Sequence, residues 1–323
     1  MTQIAPSRTD RLRSAIADRY IVGREIGRGG MAVVHLAHDV KHDRQVAIKV
    51  LDGESATTVD PQRFQREIRI AAQLHHPHIL PVYDSGADDG VLWFTMPYVE
   101  GETLRQRLRR QGPLPVDDAI ATLQVLARAL AYAHRRGVMH RDLKPENVLL
   151  GEDGLFLSDF GIARPLERAA NTQLTGEEFV MGTPAYMAPE QATGDAMADH
   201  RADLYALGIL GYELLAGEPP FTGLPAAAIL IAHATREPEP IERRRADLPA
   251  MLAYAITRCL RKDAVDRWGS ADELGLALRT LVGPEAATPG APTPPPEPAR
   301  QLDPSPQLER GRAACRRAAW REA

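Results

Sequence analysis

The stretch His140-Arg141-Asp142-Leu143-Lys144-Pro145-Glu146-Asn147-Val148-Leu149-Leu150 is a polar octet followed by an apolar, strand-like run. Downstream come Asp159-Phe160-Gly161 and then Gly182-Thr183-Pro184-Ala185-Tyr186-Met187-Ala188-Pro189-Glu190. Any one tripeptide of this kind arises by chance in many proteins. An ordered series at sensible intervals does not, so weight falls on what precedes it.

Upstream, Ile26-Gly27-Arg28-Gly29-Gly30-Met31-Ala32-Val33-Val34 carries glycines that permit a tight turn and close backbone approach to a phosphate. Alone, such a loop is more often a structural hairpin. No Gly-Lys-Ser/Thr follows it, and the next segment reads as a strand where a dinucleotide fold would have a helix. Val46-Ala47-Ile48-Lys49 then ends an apolar strand on a lysine, a residue that ordinarily snorkels to the surface. A helix is predicted from Asp60-Pro61, with Asp as N-cap and Pro at the first position, where a missing N–H costs nothing. Phe64, Ile68 and Ala71 form its apolar stripe, and Glu67 sits on the same stripe. A carboxylate facing a core needs a cation. Lys49 and Glu67 are therefore expected to pair beneath the glycine loop, holding an ammonium against phosphate oxygens.

Around these motifs the chain divides in character. From Tyr20 to Met96 five strand candidates, YIVGREIG, VVHLAHD, QVAIKVL, ILPVYDSG and VLWFTM, alternate with short turn-forming segments and suggest an antiparallel sheet. From about Gly101 to Val282 helical periodicity takes over, in DDAIATLQVLARALAYAHRRG, LYALGILGYELLAGEPPF, MLAYAITRCLRKDAVDRW and SADELGLALRTLVG. Residues 1–17 read as a flexible polar lead, and 284–323 as a proline-rich disordered linker with a short basic tail.

Of the residues, 44% are hydrophobic and 25% charged, with a net charge of -4, which excludes fibrous and wholly disordered classes. Nothing in that balance recommends a nucleic acid as partner. Cys259 and Cys315 lack metal-site spacing and fit a reduced, cytoplasmic protein. The N-terminus has no signal-peptide pattern, and no window of about 18 apolar residues reads as a membrane span.

The complete series (glycine loop, Val-Ala-Ile-Lys, helical Glu, His140 to Asn147, Asp159-Phe160-Gly161, Ala188-Pro189-Glu190) resembles the protein kinase family, and in particular the eukaryotic-like serine/threonine kinases of bacteria. The Gly-Gly-Met form of the loop and Asp159-Phe160-Gly161-Ile162-Ala163-Arg164 are similar to theirs. The resemblance covers about residues 18–283. It implies an α+β, bilobal kinase-like fold: a small antiparallel β-sheet lobe with one main helix (about 18–96) and a larger α-helical lobe (about 100–283).

The implied activity is transfer of the γ-phosphate of ATP, with Mg2+ or alternatively Mn2+, to Ser/Thr hydroxyls of protein substrates. The resemblance makes Asp142 the catalytic base, brings Lys144 to the γ-phosphate and assigns Asn147 and Asp159 to the metal. Lys49, paired with Glu67, would meet the α- and β-phosphates under the loop from Ile26 to Ala32, including Gly27, Arg28, Gly29, Gly30 and Met31. Adenine would lie between Val34 and Ala47 above and Leu149 below, with Met96 before a hinge of Pro97, Tyr98 and Val99. Glu146 could attract a basic residue upstream of the acceptor.

Arg141 beside the base implies an anionic partner, supplied by autophosphorylation at Thr172 or Thr175. Asp203 resembles the residue that braces the catalytic loop, and Arg267 the one that pairs with Glu190. Relatives can pair through the small lobe, which leaves a homodimer as an option. Two departures stand out: Ala32 replaces the third glycine of the loop, and the proline usual in the segment before Arg267 is missing. A catalytically weak scaffold on the same fold is the alternative reading.

Overall fold

The computed structural model describes residues 8–30, 32–51, 60–88, 90–160, 184–195 and 197–281. Their elements, in chain order, are α1 (Arg8–Ala15), β1 (Tyr20–Arg28), β2 (Ala32–Asp39), β3 (Arg44–Leu51), α2 (Pro61–Ala71), β4 (Asp84–Asp88) and β5 (Val91–Pro97). Then follow β6 (Gly101–Thr103), α3 (Leu104–Gln111), α4 (Val116–His134), β7 (Val148–Gly151), β8 (Gly154–Leu157), α5 (Pro189–Ala192) and α6 (Arg201–Ala216). The last are α7 (Ala226–Thr235), α8 (Ile241–Arg244), α9 (Ala250–Cys259) and α10 (Ala271–Arg279).

Strand period sorts the small lobe. The five strands form one antiparallel sheet in the order β1-β2-β3-β5-β4. On β3, Ala47 and Leu51 belong to one cluster and Val46, Ile48 and Val50 to another; on β5, Leu92, Phe94 and Met96 separate from Val91 and Trp93 in the same way. Successive side chains point to opposite faces, so both faces of this sheet are buried. Phe64, Ile68 and Ala71 of α2 complete the first cluster. The N-cap expected at Asp60 is present, its carboxylate accepting from the Gln62 backbone N–H at 3.0 Å.

The second cluster brings a correction. Residues 8–15, expected to be part of a flexible lead, form α1, and Leu12 (0% exposed) and Ile16 (5%) pack against Tyr20, Ala37, Val46 and Trp93. A short, highly polar segment of about two turns with only Leu12 and Ile16 four apart carries little helical signal; a helix this short is stable through tertiary packing, not through propensity. A second difference concerns ILPVYDSG, where regular pairing begins only at Asp84. Pro81 has no N–H for a ladder. The residues before it serve another purpose: Ile79 bridges Leu157 in parallel, and Leu80 N–H donates to the Leu157 carbonyl at 2.9 Å, tying the lobes together.

At the junction, Gly101 has φ +156, and a Cβ there would stand 1.9 Å from the Leu150 carbonyl oxygen. Only glycine lets β6 approach β7 this closely. The small sheet β6-β7-β8 carries the chain past the cleft. Behind it, α6 is buried from Ala202 to Leu215 and forms the axis on which α4 and α9 pack. Gly208 sets one contact, since a Cβ there would fall 2.5 Å from Cys259 Cβ. Residues 284–323 lie outside the described residues.

Two stability outcomes follow. Leu12→Ala should cost about 2–5 kcal/mol in urea unfolding, as for other buried leucines, whereas a residue on a loose lead would cost under about 0.5. His233 is wholly buried, its Nδ1 2.9 Å from the Tyr205 hydroxyl, and burial with the nearby Lys262 charge pushes its imidazole down to about 4. Unfolded, it titrates near about 6.5. Its folded pKa is depressed, so its contribution is complete above about pH 6.5 and is lost as pH falls toward 4, by up to about 3 kcal/mol. His233→Asn should flatten the pH dependence of the urea midpoint across that window.

Candidate active site

The cleft between the sheets gathers most of the sequence-predicted residues. Ile26, Val34, Ala47, Met96, Val99 and Leu149 all belong to one apolar cluster, with Ala47 and Met96 directly paired across β3 and β5. This slot is lined from above by the five-stranded sheet and from below by β7. The glycine turn closes by a 2.9 Å bond from Gly29 N–H to the Ala32 carbonyl. Ala32 is an ordinary strand residue paired with Leu51, and among the described non-glycine residues only Asp43, Arg141 and Asp159 have positive φ. The methyl in place of the third glycine is thus accommodated without strain. Met31 lies outside the described residues.

Below the slot, the loop from His140 to Asn147 is held by an acceptor from another helix. Asp203, in the first turn of α6 and 1% exposed, accepts from the backbone N–H of His140 (2.8 Å) and of Arg141 (2.7 Å) and from His134 Nε2 (2.7 Å). Burial alone would raise its carboxyl pKa; the hydrogen bond and charge of His134, then His140 and the Arg141 N–H, hold it below the ordinary carboxylate range. These bonds sustain φ 69° at Arg141, a region unfavourable for a side chain this large. His140 is fully buried, donates from Nε2 to the Ser158 carbonyl (2.8 Å) and stacks edge-on against Phe160 at 4.8 Å. Burial lowers its pKa despite the neighbouring carboxylates, so the ring is neutral.

The loop so braced converges on Asp142. Lys144 Nζ donates to its Oδ2 at 2.6 Å, and Asn147 Nδ2 donates to its backbone carbonyl at 2.8 Å and to Oδ2 at 3.3 Å. Asn147 is linked in turn to Asp159 through Ser158, whose N–H donates to the Asn147 carbonyl (2.9 Å) and whose hydroxyl reaches Asp159 Oδ2 (3.4 Å). With its amide nitrogen engaged, Asn147 keeps its side-chain oxygen as a candidate metal ligand, as Asp159 keeps its carboxylate oxygens. Two such oxygens fit magnesium, which keeps several waters and takes phosphate oxygens as further ligands.

Lys49 departs from expectation. Its Nζ pairs with Asp159 Oδ1 at 2.9 Å, and among the described residues no ion pair joins it to Glu67. Glu67 instead lines a cavity of about 1050 Å3 with Arg63, Arg66, Arg69 and Arg141. The ammonium takes the nearer carboxylate, which is enclosed in the cleft and needs a cation more than one facing a polar cavity. Burial would raise Asp159; Lys49, by charge and hydrogen bond, overcomes it and keeps the carboxyl low.

Glu146 is also engaged differently from the expectation: it accepts from Arg105 Nε at 2.8 Å. Arg105 also donates to the buried Glu213 and to Tyr186, a group that sequence reasoning missed because its members lie far apart in the chain and follow no periodic pattern. The Arg267–Glu190 pair is bidentate, both bonds 2.7 Å, with further donation from Arg267 to the carbonyls of Arg261, Arg201 and Lys262. Thr172, Thr175 and Thr183 lie outside the described residues.

A chain with this fold and this cleft matches the protein kinase domain family over residues 20–275, and it belongs to that family. It is 40% identical over 267 residues to serine/threonine-protein kinase PknB of Mycolicibacterium smegmatis and 38% over 267 residues to serine/threonine-protein kinase PrkC of Bacillus subtilis. It is 39% identical over 269 residues to PknB of Mycobacterium tuberculosis. These alignments take in 80%, 82% and 81% of this chain but 42%, 41% and 42% of those proteins. The chain therefore spans about two-fifths of the length of the curated relatives it matches. Family membership implies use of ATP. Among the described residues, no helix is long and apolar enough to cross a membrane.

Arg267→Ala should destabilise the large lobe by about 3–5 kcal/mol in urea unfolding, because it strands the Glu190 carboxylate and opens a buried site. Arg267→Lys should recover only part of this, since an ammonium cannot reproduce the planar two-point contact.

Proposed function

We propose that this domain transfers the γ-phosphate of Mg-ATP to serine or threonine hydroxyls of proteins. The observation that carries the reading is the convergence on Asp142: a carboxylate oriented by Lys144 and Asn147 on a loop that Asp203 braces. Asp142 accepts or orients the proton of the acceptor hydroxyl, and Lys144, already at its side, reaches the transferred phosphoryl. Ile26, Val34, Ala47, Met96, Val99 and Leu149 hold the adenine in their apolar slot, while the glycine turn presents backbone N–H groups to the phosphates. Asp159 and Asn147 would hold the metal, whose charge would offset that of the phosphates.

For Asp159 to ligate a metal, Lys49 must release it. Glu67, on the inward side of α2, is the carboxylate able to receive the ammonium once it turns from the arginine-lined cavity. Regulation of that exchange belongs to the same proposal. Arg141 shares the cavity with Arg63, Arg66 and Arg69, four cations whose setting supports an anionic partner such as phosphorylated Thr172 or Thr175. Cytoplasmic placement is proposed with it: the buried thiol of Cys259 is free, as in a reducing compartment, and ATP is found there.

Radiolabel transfer from ATP to the protein itself and to a generic protein acceptor tests the reading. Asp142→Asn should lower the rate by about 10²–10⁴ with the fold intact. Equal labelling by both proteins would remove Asp142 from this role, and no labelling by the wild type would favour the scaffold.

A further inference from the structure

The peptide unit between Arg141 and Asp142 is held on both edges. Its N–H donates to His140 Nδ1 at 3.3 Å, and its carbonyl accepts from Gln191 Nε2 at 3.2 Å. Gln191 lies in α5, and its Oε1 accepts from the backbone N–H of Ala188, just before that helix, at 3.1 Å. One planar amide thus bridges the catalytic loop to a segment 50 residues further along the chain. The Arg141 carbonyl demands a donor and the Ala188 N–H an acceptor, so the two partners fix which way the amide faces. Among side chains, only a carboxamide offers an uncharged donor and an acceptor on opposite atoms of one flat group.

Gln191 acts where the loop is strained. Arg141 has φ 69°; Asp203 takes its N–H at 2.7 Å and Gln191 takes its carbonyl, so both backbone groups of this residue are held from outside the loop. On the far side of the base, Asn147 Nδ2 donates to the Asp142 carbonyl at 2.8 Å. The two peptide units that flank the Asp142 Cα are therefore each fixed by a side-chain amide. Without the Gln191 bond, the first unit can turn about ψ of Arg141 and φ of Asp142, and that turn redirects the Asp142 side chain. Gln191 is itself well anchored. Glu190, directly before it, is gripped by Arg267 through two 2.7 Å bonds, and the Ala192 N–H closes the turn on the Ala188 carbonyl at 2.9 Å.

We propose that Gln191 is a positioning residue for phosphoryl transfer: by holding the Arg141 carbonyl it sets the direction of the Asp142 carboxylate, and it ties that direction to the anchored turn of α5. This inference rests on the kinase reading above. The side-chain hydrogen bonds of Gln191 go to Arg141 and Ala188, and neither belongs to the apolar slot assigned to adenine. Its signature is therefore in kcat and not in the KM for ATP. The donated N–H is the half that matters. A carboxylate in its place keeps the bond from Ala188 but sets an anionic oxygen against the Arg141 carbonyl. The same carboxyl, once protonated, regains a donor.

The test uses the full chain with Mg-ATP and a serine peptide that the wild type labels. Rates are expressed per folded molecule, from urea unfolding curves run in parallel. Gln191→Leu should lower kcat by about tenfold and leave the KM for ATP within about twofold, as expected of one hydrogen bond lost at the base. Gln191→Glu, nearly the same shape, adds the decisive readout. A carboxyl facing a carbonyl oxygen titrates above its ordinary value of about 4.3, so the ratio of its kcat to that of the wild type should climb by about threefold or more between about pH 8 and about pH 5.5. The same ratio for Gln191→Leu should stay level across that range. The proposal is overturned if Gln191→Leu keeps kcat per folded molecule within about twofold of the wild type, which marks a purely structural residue. It is equally overturned if the Gln191→Glu ratio does not rise as the pH falls, because the donated bond is then not what orients the base. Should Gln191→Leu not fold, the Gln191→Glu ratio decides alone. A wild type that labels no peptide at all refutes the kinase reading and this role with it, whereas failure confined to the variants leaves that reading standing.

Discussion

One buried carboxylate organises the large lobe. Asp203 accepts two backbone N–H groups from successive residues of the catalytic loop and a third hydrogen bond from His134 on α4. A charge taken out of water is costly unless each lone pair is met, and here it is met by groups on two other parts of the chain. The bonds tie α4 and α6 to the loop and hold Arg141 in a backbone region it would not choose. Asp142 follows Arg141 directly, so its direction depends on that brace. The helix that carries Asp203 is buried almost end to end, which makes the brace as rigid as the core behind it.

The small lobe solves a different problem. Its sheet must present Val34, Ala47 and Met96 on one face without leaving the other face wet. Strand alternation delivers Val46, Ile48, Val50 and Trp93 to the opposite side, and α1 covers them with Leu12 and Ile16. The strand that carries Lys49 is thus clamped from both sides. Its lysine still has a choice of carboxylates, and in this arrangement Asp159 has it.

Ionic groups around the cleft consequently fall into two kinds. Arg267 with Glu190, and Arg105 with Glu213, are enclosed and saturated by hydrogen bonds, and they fix the position of backbone segments. Lys49, Glu67 and Arg141 face the cleft or the arginine-lined cavity, where a change of partner costs less because water can reach the group left behind. The first kind shapes the site; the second can respond to what enters it.

Much of this was legible in the residues alone. The order of the glycine turn, Lys49, Glu67, the loop from His140 to Asn147 and Asp159 identified the family, since catalytic groups carried on short loops leave local motifs. Strand and helix periods separated the lobes because each element has to bury one face. The α1 helix, the late start of β4, the exchange of Lys49 toward Asp159 and the capture of Glu146 by Arg105 were not legible. Each depends on which groups meet across long separations, such as Arg105 and Glu213, 108 residues apart. Sequence by itself determined which chemical groups are present and which faces must be buried, because those are properties of side chain and period. Only the tertiary structure decided which charge neutralises which, because Coulomb energy and desolvation depend on distance and enclosure, and both arise after the chain has packed.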